Sequence, residues 1–361
     1  MFQSVPRQSS LFLLVPGYRF TLSGLRHFLH IIILSTLLAC SALPRHAYAD
    51  ENFVHRTDVQ EFIQRMVKKH GFNRQQLESL FVQVKIRPQV MRHINKPLEK
   101  ETWRLYQMLF VNEWRIEHGV EFWNKYAAVL KKAEEVYGVP ASIIVATIGI
   151  ETKFGQKTGD YRVIDSLTNI AFSNSPRAGF FRQELAEFLL LTREQKMDPM
   201  KILGSYAGAM GQPQFMPSSY RYYAVNFSGS GKTDLMANEV DVIGSVANYY
   251  NKHGWKTHEP ITVPALVLGD RYNYLTRLNR VNQPYTLTDL ARYRIVPKYK
   301  VGRDDLKVKI IELSSRYSSE YWLGFRNFDV IKRYNASDLY AMAVFQLSYY
   351  ITALRERVNH G

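Results

Sequence analysis

Apolar residues recur at helical spacing along most of this chain. Val59, Phe62, Ile63, Met66 and Val67 stand at i, i+3, i+4, i+7 and i+8, which describes one apolar helix face. Asp58 and Glu61 have capping-box spacing at its start, and Gly71 is a stop signal. Asn73 with Gln76 predicts the start of a second helix, striped by Leu77, Leu80, Phe81 and Val84. Two more helices are predicted within 101–112 and 119–137, so the chain to about Gly138 reads as an α-helical unit.

Pro140 then opens a helix of a different kind. Ile143, Ile144, Val145, Ala146, Ile148 and Ile150 leave it apolar nearly all round, and such a helix is buried. It is expected to end near Gly155. Further helices fit 180–196 and 240–253, the latter stopped by Gly254. After Trp255 the texture changes. Segments 261–267 and 306–313 read as strands, and in the second Leu306, Val308 and Ile310 alternate with Lys307 and Lys309, a half-buried period of two. A final apolar-striped helix covers 340–358. The fold class predicted is mainly α with a small β-containing insert.

Composition narrows the class without choosing a function. The chain has 361 residues, is 46% hydrophobic and 22% charged, and has no low-complexity tract, so it is a folded globular protein and not a disordered one. Its formal charge is +15. Residues 1–49 contribute four arginines and no acid, so 43 basic residues still face 32 acidic ones in the remainder. That excess points to an anionic partner: nucleic acid, a membrane surface or an acidic cell-wall polymer.

The N-terminus excludes some of these. Basic residues precede an apolar run at 31–38, too short to span a bilayer and laid out as a secretory signal. Two processing sites compete. Leu37-Leu38-Ala39-Cys40 resembles a lipoprotein box, with Cys40, the sole cysteine, as the lipidation candidate. Ala47-Tyr48-Ala49 before Asp50 suits ordinary signal peptidase. Either route sends the chain out of the cytoplasm without an internal disulfide.

Three segments carry polar residues suited to chemistry. Glu151 stands at the C-terminal end of the buried helix, where burial and the negative helix end both disfavour a charged carboxyl, as a general acid requires. A surface glutamate at a helix end would share that spacing. Residues 204–220 pack glycines, amides, hydroxyls and aromatics without helix or strand period. There Ser205 and Gln214 are suited to hydrogen-bond a sugar, and Tyr206, Phe215 and Tyr220 to stack on one. In 327–335 aromatic and amide residues cluster again, and Asn335 has the alternative role of a helix cap.

Taken together these segments resemble the membrane-bound lytic transglycosylase B family. The matching signatures are Glu151-Thr152-x-x-Gly155 after an apolar helix, Gly208-Ala209-Met210-Gly211-x-x-Gln214-Phe215-Met216-Pro217-Ser218-Ser219, and Phe328-x-x-Ile331-x-x-Tyr334-Asn335. The likeness runs from about Asp58 to Val358. It implies a lysozyme-like core with a helical flanking domain and a small β-containing domain. On this reading 1–49 is the signal, and 50–138 is the helical domain, closed by 340–361. Residues 139–256 form the catalytic core, completed by 321–339, and 257–320 form the small domain.

The resemblance also implies cleavage of the β-1,4 bond between N-acetylmuramic acid and N-acetylglucosamine, leaving 1,6-anhydromuramoyl ends. Glu151 matches the single catalytic carboxyl. Ser205, Gln214, Phe215, Tyr249, Tyr334, Asn335 and Tyr340 match the groove, and Arg177 matches arginines that meet the anionic peptide stem. Ordinary glycosidases use two carboxylates. Asp165 is the nearest second acid here and reads as structural. The implied partners are glycan strands with peptide stems and no nucleic acid. The chain is expected to be a monomer in the periplasm, lipid-anchored to the outer membrane through Cys40 or soluble after cleavage following Ala49.

No cofactor is expected. The segment 226–237 falls where some relatives carry a calcium loop, which requires oxygen-rich and mostly acidic ligands. Here the first, third and fifth positions are Asn226, Ser228 and Ser230, the twelfth is Ala237, and only Asp234 and Asp241 stand nearby. Weak or absent calcium binding is expected. Gly229, Gly231, Lys232 and Thr233 imitate the tail of a phosphate loop, but Asn226 occupies the required glycine position.

Overall fold

A computed structural model describes residues 52–94, 101–278, 280–303, 305–315 and 318–360. The expected signal segment and Cys40 lie outside them. After a 3-10 turn at Phe53–His55 comes α1 (Thr57–His70), ended by Gly71 at φ +67. The capping box does not form. The helix begins at Thr57, so Asp58 is already inside its first turn and pairs with Arg56 at 2.7 Å. α2 (Arg74–Val82) does start as expected, with the Asn73 side chain accepting from the Gln76 N–H at 3.0 Å.

Next come α3 (Pro88–Ile94), α4 (Trp103–Phe110), α5 (Glu113–Lys125) and α6 (Ala127–Tyr137). The single helix expected over 119–137 is thus two. Asn112 caps α5 early, by accepting from the Arg115 N–H, and Tyr126 leaves helical geometry between α5 and α6. The buried helix is α7 (Ala141–Thr152), with Pro140 as its N-cap. From Ile143 to Ile150 every residue is buried. Each such Ile or Val side chain contributes about 1.5–3 kcal/mol relative to exposure.

A two-strand ribbon, β1 (Tyr161–Arg162) against β2 (Leu203–Gly204), brackets α8 (Val163–Ala171) and α9 (Ala178–Glu194). Then follow α10 (Pro217–Tyr223) and α11 (Glu239–Lys252). The minor sheet contains β3 (Thr262–Val267), β4 (Ile295–Pro297), β5 (Lys309–Ser314) and β6 (Ser319–Gly324), with α12 (Arg271–Arg277) and α13 (Leu287–Arg292) between β3 and β4. Its order is β4-β3-β6-β5, antiparallel throughout. α14 (Arg326–Ile331) and α15 (Asp338–His360) close the chain, α15 packing on α4, α5 and α7.

The alternation around β5 places side chains differently from a half-buried strand. Val308 and Ile310 enter a small core with Tyr272, Leu275, Leu290, Ile295, Leu323 and Phe325, whereas Ile311 and Leu313 enter the main core. Both faces of the strand are therefore covered. Lys309 remains tolerable because its ammonium pairs with Asp329 at 2.8 Å.

Asp165 stitches the N-terminal helices to α8. Its carboxylate is fully buried, takes Arg162 at 2.7 Å and Arg87 at 3.2 Å, and accepts the Lys85 N–H at 3.0 Å. Removing its charge strands two guanidinium groups in a partly desolvated place. Asp165→Asn should therefore cost about 2–4 kcal/mol in a denaturant titration. A loss within a few tenths of a kcal/mol would show that this ion cluster does not hold the elements together.

Candidate active site

The end of α7 is shaped for one carboxylate. Lys153, Phe154 and Gly155 follow Glu151 and Thr152 with φ +51, +57 and +85, three successive left-handed residues that stop the helix before Gly155. Phe154 turns back over Gly149, where a Cβ would lie 2.6 Å from its ring, and stacks on Phe122 with centroids 5.4 Å apart. The Thr152 hydroxyl donates to the Gln212 carbonyl at 2.7 Å and accepts the Gly155 N–H at 3.0 Å. Helix α7 is thereby tied to the glycine-rich loop. Arg115, only 6% exposed, donates to the Gly149 carbonyl at 3.0 Å and the Leu109 carbonyl at 2.6 Å. Its cation offsets the negative helix end, and burial draws its pKa downward.

Glu151 is half-buried, and its Oε1 accepts the Tyr340 hydroxyl at 2.6 Å. Tyr340, 2% exposed, lies parallel to Tyr334 at 6.2 Å between centroids. Tyr334 in turn meets Tyr249 at 4.8 Å, Tyr250 at 5.5 Å and Phe215 at 5.7 Å. The hydroxyls of Tyr334 and Tyr249 are tied to the Pro213 and Arg333 carbonyls at 2.6 and 2.5 Å. Burial first, and then the negative charge of Glu151, hold the Tyr334 and Tyr340 pKa values well above the usual phenol range. Both stay protonated, so Tyr340 remains a hydrogen-bond donor to the carboxylate.

The glycine-rich loop is held mostly by its own atoms. The Ser205 Oγ accepts the Ala209 N–H at 3.0 Å and the Ala207 N–H at 3.3 Å. Gln214, at φ +49, donates to the Thr158 and Gly211 carbonyls at 2.9 Å each. Phe215, 2% exposed, supports the tyrosine wall from behind and presents little surface to a ligand.

Tyr220 departs from its expected stacking role. It is buried, and its hydroxyl bridges the Thr233 carbonyl and the Leu235 N–H at 3.2 Å each. Helix α10 begins at Pro217 and turns this ring into the core.

Asn335 lines a cleft with Glu101, Glu312 and Asp338, beside the turn into α15. It is not the cap of that helix. Ser337 takes that place, accepting the Leu339 N–H at 3.2 Å. Arg177 is the N-cap residue of α9, its guanidinium over Phe180 and Phe181 at 5.2 and 5.1 Å. The bonds and ring contacts that join Glu151, Phe215, Tyr249, Tyr334 and Tyr340 do not include it.

Sequence reading missed two partners of this cluster. The buried Thr147 hydroxyl lies 2.9 Å from that of Tyr250, also buried. The available signal was a lone hydroxyl residue inside an otherwise apolar helix, since a buried polar group needs a partner. It also missed His93, whose ring lies 5.2 Å from that of Tyr206 on the glycine-rich loop.

In the degenerate calcium loop the oxygens are engaged by the chain itself. Asp241 accepts the Ser228 and Asp234 N–H groups at 2.8 and 2.9 Å, and Asp234 accepts those of Met236 and Ala237. Asn226 accepts the Ser230 N–H at 3.0 Å and the Ser228 hydroxyl at 3.2 Å. Among the described residues no group of three or more His, Cys, Asp or Glu side chains is placed to hold a metal.

Residues 55–349 match the model of the transglycosylase SLT domain. The chain is 38% identical over 314 residues to the membrane-bound lytic murein transglycosylase B of Escherichia coli K12, a match covering 84% of this chain and 85% of that protein. Among solved structures, a soluble lytic transglycosylase of Pseudomonas aeruginosa is 44% identical with TM-score 0.76, covering 83% of this chain and 99% of that one. An Escherichia coli lytic transglycosylase solved in complex with calcium is 39% identical with TM-score 0.76, covering 84% and 95%. With its lysozyme-like, mainly helical fold and these relatives, the chain belongs to the SLT-domain family of peptidoglycan-cleaving lytic transglycosylases.

Proposed function

We propose that this chain cleaves the β-1,4 bond between N-acetylmuramic acid and N-acetylglucosamine, with Glu151 as its one acid and base. The observation that carries this is the 2.6 Å bond from Tyr340 to Glu151 within a wall of tyrosines. Glu151 gives its proton to the glycosidic oxygen as the C1–O4 bond breaks. The muramoyl C6 hydroxyl oxygen then bonds to C1, and its proton returns to Glu151. No water is consumed, and the carboxyl ends as it began. Asp165 supplies no second carboxylate, because Arg162, Arg87 and the Lys85 N–H occupy its oxygens. The Tyr340 hydroxyl, donating to Oε1 in a half-buried site, favours the carboxylate when it forms.

Ser205, Gln214, Asn335, Tyr249, Tyr334 and Tyr340 flank the sugar, Phe215 backs the wall, and Arg177 meets a carboxylate of the peptide stem. The partner is peptidoglycan and not nucleic acid, and the protein acts as a monomer. Export follows from the N-terminal signal, with Cys40 lipidated or Ala49 as the cleavage point. The mass of the mature N-terminal peptide separates these two. The catalytic reading is tested by incubating purified protein with sacculi. Soluble muropeptides with anhydro ends are expected, and binding without soluble product would contradict it.

The loop 226–237 is proposed to need no calcium. Neutral Asn226, Ser228 and Ser230 supply little charge, and the internal hydrogen bonds already engage Asp234 and Asp241. Millimolar calcium should move the thermal midpoint by less than about 1 °C, since a ligand stabilises only above its Kd. A saturable rise of several degrees would overturn this.

A further inference from the structure

The cleft beside Asn335 differs in charge from the rest of the chain. Glu101, Glu312 and Asp338 line it with Trp103, Asn335 and Ser337, and none of its described lining residues is lysine or arginine. Beyond residue 49 the chain carries 43 basic against 32 acidic residues, so three carboxylates in one concavity run against the general balance. The cleft holds about 530 Å³, room for an organic group and not only for an ion. Its acids are not gathered for a metal, because among the described residues no three His, Cys, Asp or Glu side chains are placed to hold one.

Two of the carboxylates are available to a cation. Of the three acids only Asp338 has an ion pair among the described residues, with Lys332 at 2.6 Å. Glu312, on β5, accepts the Tyr272 hydroxyl at 2.6 Å and the Ser319 hydroxyl at 2.8 Å. These neutral donors orient its carboxylate and leave the charge in place. The positive end of α15 offers an anion little, since the Ser337 hydroxyl oxygen already accepts the Leu339 and Tyr340 N–H groups at 3.2 and 3.4 Å. A separate feature of the same cleft asks for a ligand. Trp103 of α4 is 2% exposed, and its indole N–H meets no acceptor among the described residues. A buried N–H needs a partner, and an acceptor seated against this wall supplies one.

We propose that this cleft is a subsite for the peptide stem, in which Glu101 and Glu312 receive a primary ammonium group that the stem carries. The stem's peptide carbonyls are the acceptors that suit Trp103. The wall 335–339 leads straight into Tyr340, whose hydroxyl donates to Glu151 at 2.6 Å, so a stem in the cleft adjoins the sugar at the cleavage point. A cross-link turns such an amine into a neutral amide. The cleft therefore favours strands whose stems are free over strands whose stems are joined. The inference rests on the proposed peptidoglycan substrate.

The test compares two preparations of uncross-linked glycan strands, one with its stem amines free and one with them acetylated. Wild-type KM should rise about fivefold on acetylation with kcat unchanged, the scale of one partly exposed ion pair lost from uniform binding. Glu101→Gln together with Glu312→Gln should raise KM on the free-amine strands and remove the difference between the two preparations. Glu101→Gln alone, at an exposed position, should halve the difference without moving the thermal midpoint. Equal KM for both preparations in the wild type would overturn the subsite, and so would a preference that the double variant keeps. Binding of the two preparations to Glu151→Gln makes the same comparison without cleavage. Strands left uncut by the wild type would overturn the proposed reaction, while the binding difference would still decide for or against the cleft.

Discussion

Glu151→Gln is expected to slow sacculus digestion about a thousandfold or more, the scale of losing a general acid–base group. Glutamine has the same shape, and its carbonyl oxygen can still accept the Tyr340 hydroxyl bond that Glu151 Oε1 accepts at 2.6 Å. It cannot release a proton to the leaving oxygen or take one from the C6 hydroxyl. The folded state loses only a half-buried charge, so the thermal midpoint should stay level or rise. Binding of sacculi should persist, because Ser205, Gln214 and the tyrosine wall are untouched. A Glu151→Gln protein that digests at the wild-type rate would remove Glu151 from the mechanism.

Gly159→Ala is expected to give the largest stability loss of the single changes considered. Gly159 has φ +103, and a Cβ there would lie 2.1 Å from the Gly204 carbonyl oxygen and 2.6 Å from the Ser205 nitrogen. Those are backbone atoms with nowhere to swing. Left-handed strain and overpacking together amount to about 3–5 kcal/mol. The injury is also local to the site. Gly204 pairs with Tyr161 in the β1–β2 ribbon, and Thr158, one residue before Gly159, accepts the Gln214 side chain. A drop in the midpoint should therefore come with lost activity even where the protein remains folded. Differential scanning calorimetry and a sacculus assay on the same preparation check both. A variant with the wild-type midpoint would mean that the ribbon is slack.

Much of this site was readable from the sequence, and the reasons differ from residue to residue. Helix α7 was legible because an all-round apolar run admits only burial, and Glu151 at its end followed. The stop near Gly155 was legible too, though the helix ends at Thr152 because Lys153 and Phe154 are already left-handed. That required the Phe154 ring to cover Gly149, a contact between residues that periodicity does not link. Tyr220 misled because the glycine–proline segment hides α10, which starts at Pro217 without a long stripe. The Thr147–Tyr250 hydroxyl pair was illegible because its members come from α7 and α11, about a hundred residues apart in sequence. The alternation in β5 gave a strand correctly but a wrong exposed face, since Ile311 and Leu313, on the side of Lys309, enter the main core while Val308 and Ile310 fill the small one.

The central claim is that a single carboxyl lets the sugar's own C6 hydroxyl replace water as nucleophile. It is tested most directly by digesting sacculi in water enriched in heavy oxygen and weighing the soluble muropeptides. The account predicts ends one water lighter than reducing ends, with no heavy oxygen incorporated. Reducing ends that carry one heavy oxygen each would contradict it, since water would then have attacked C1.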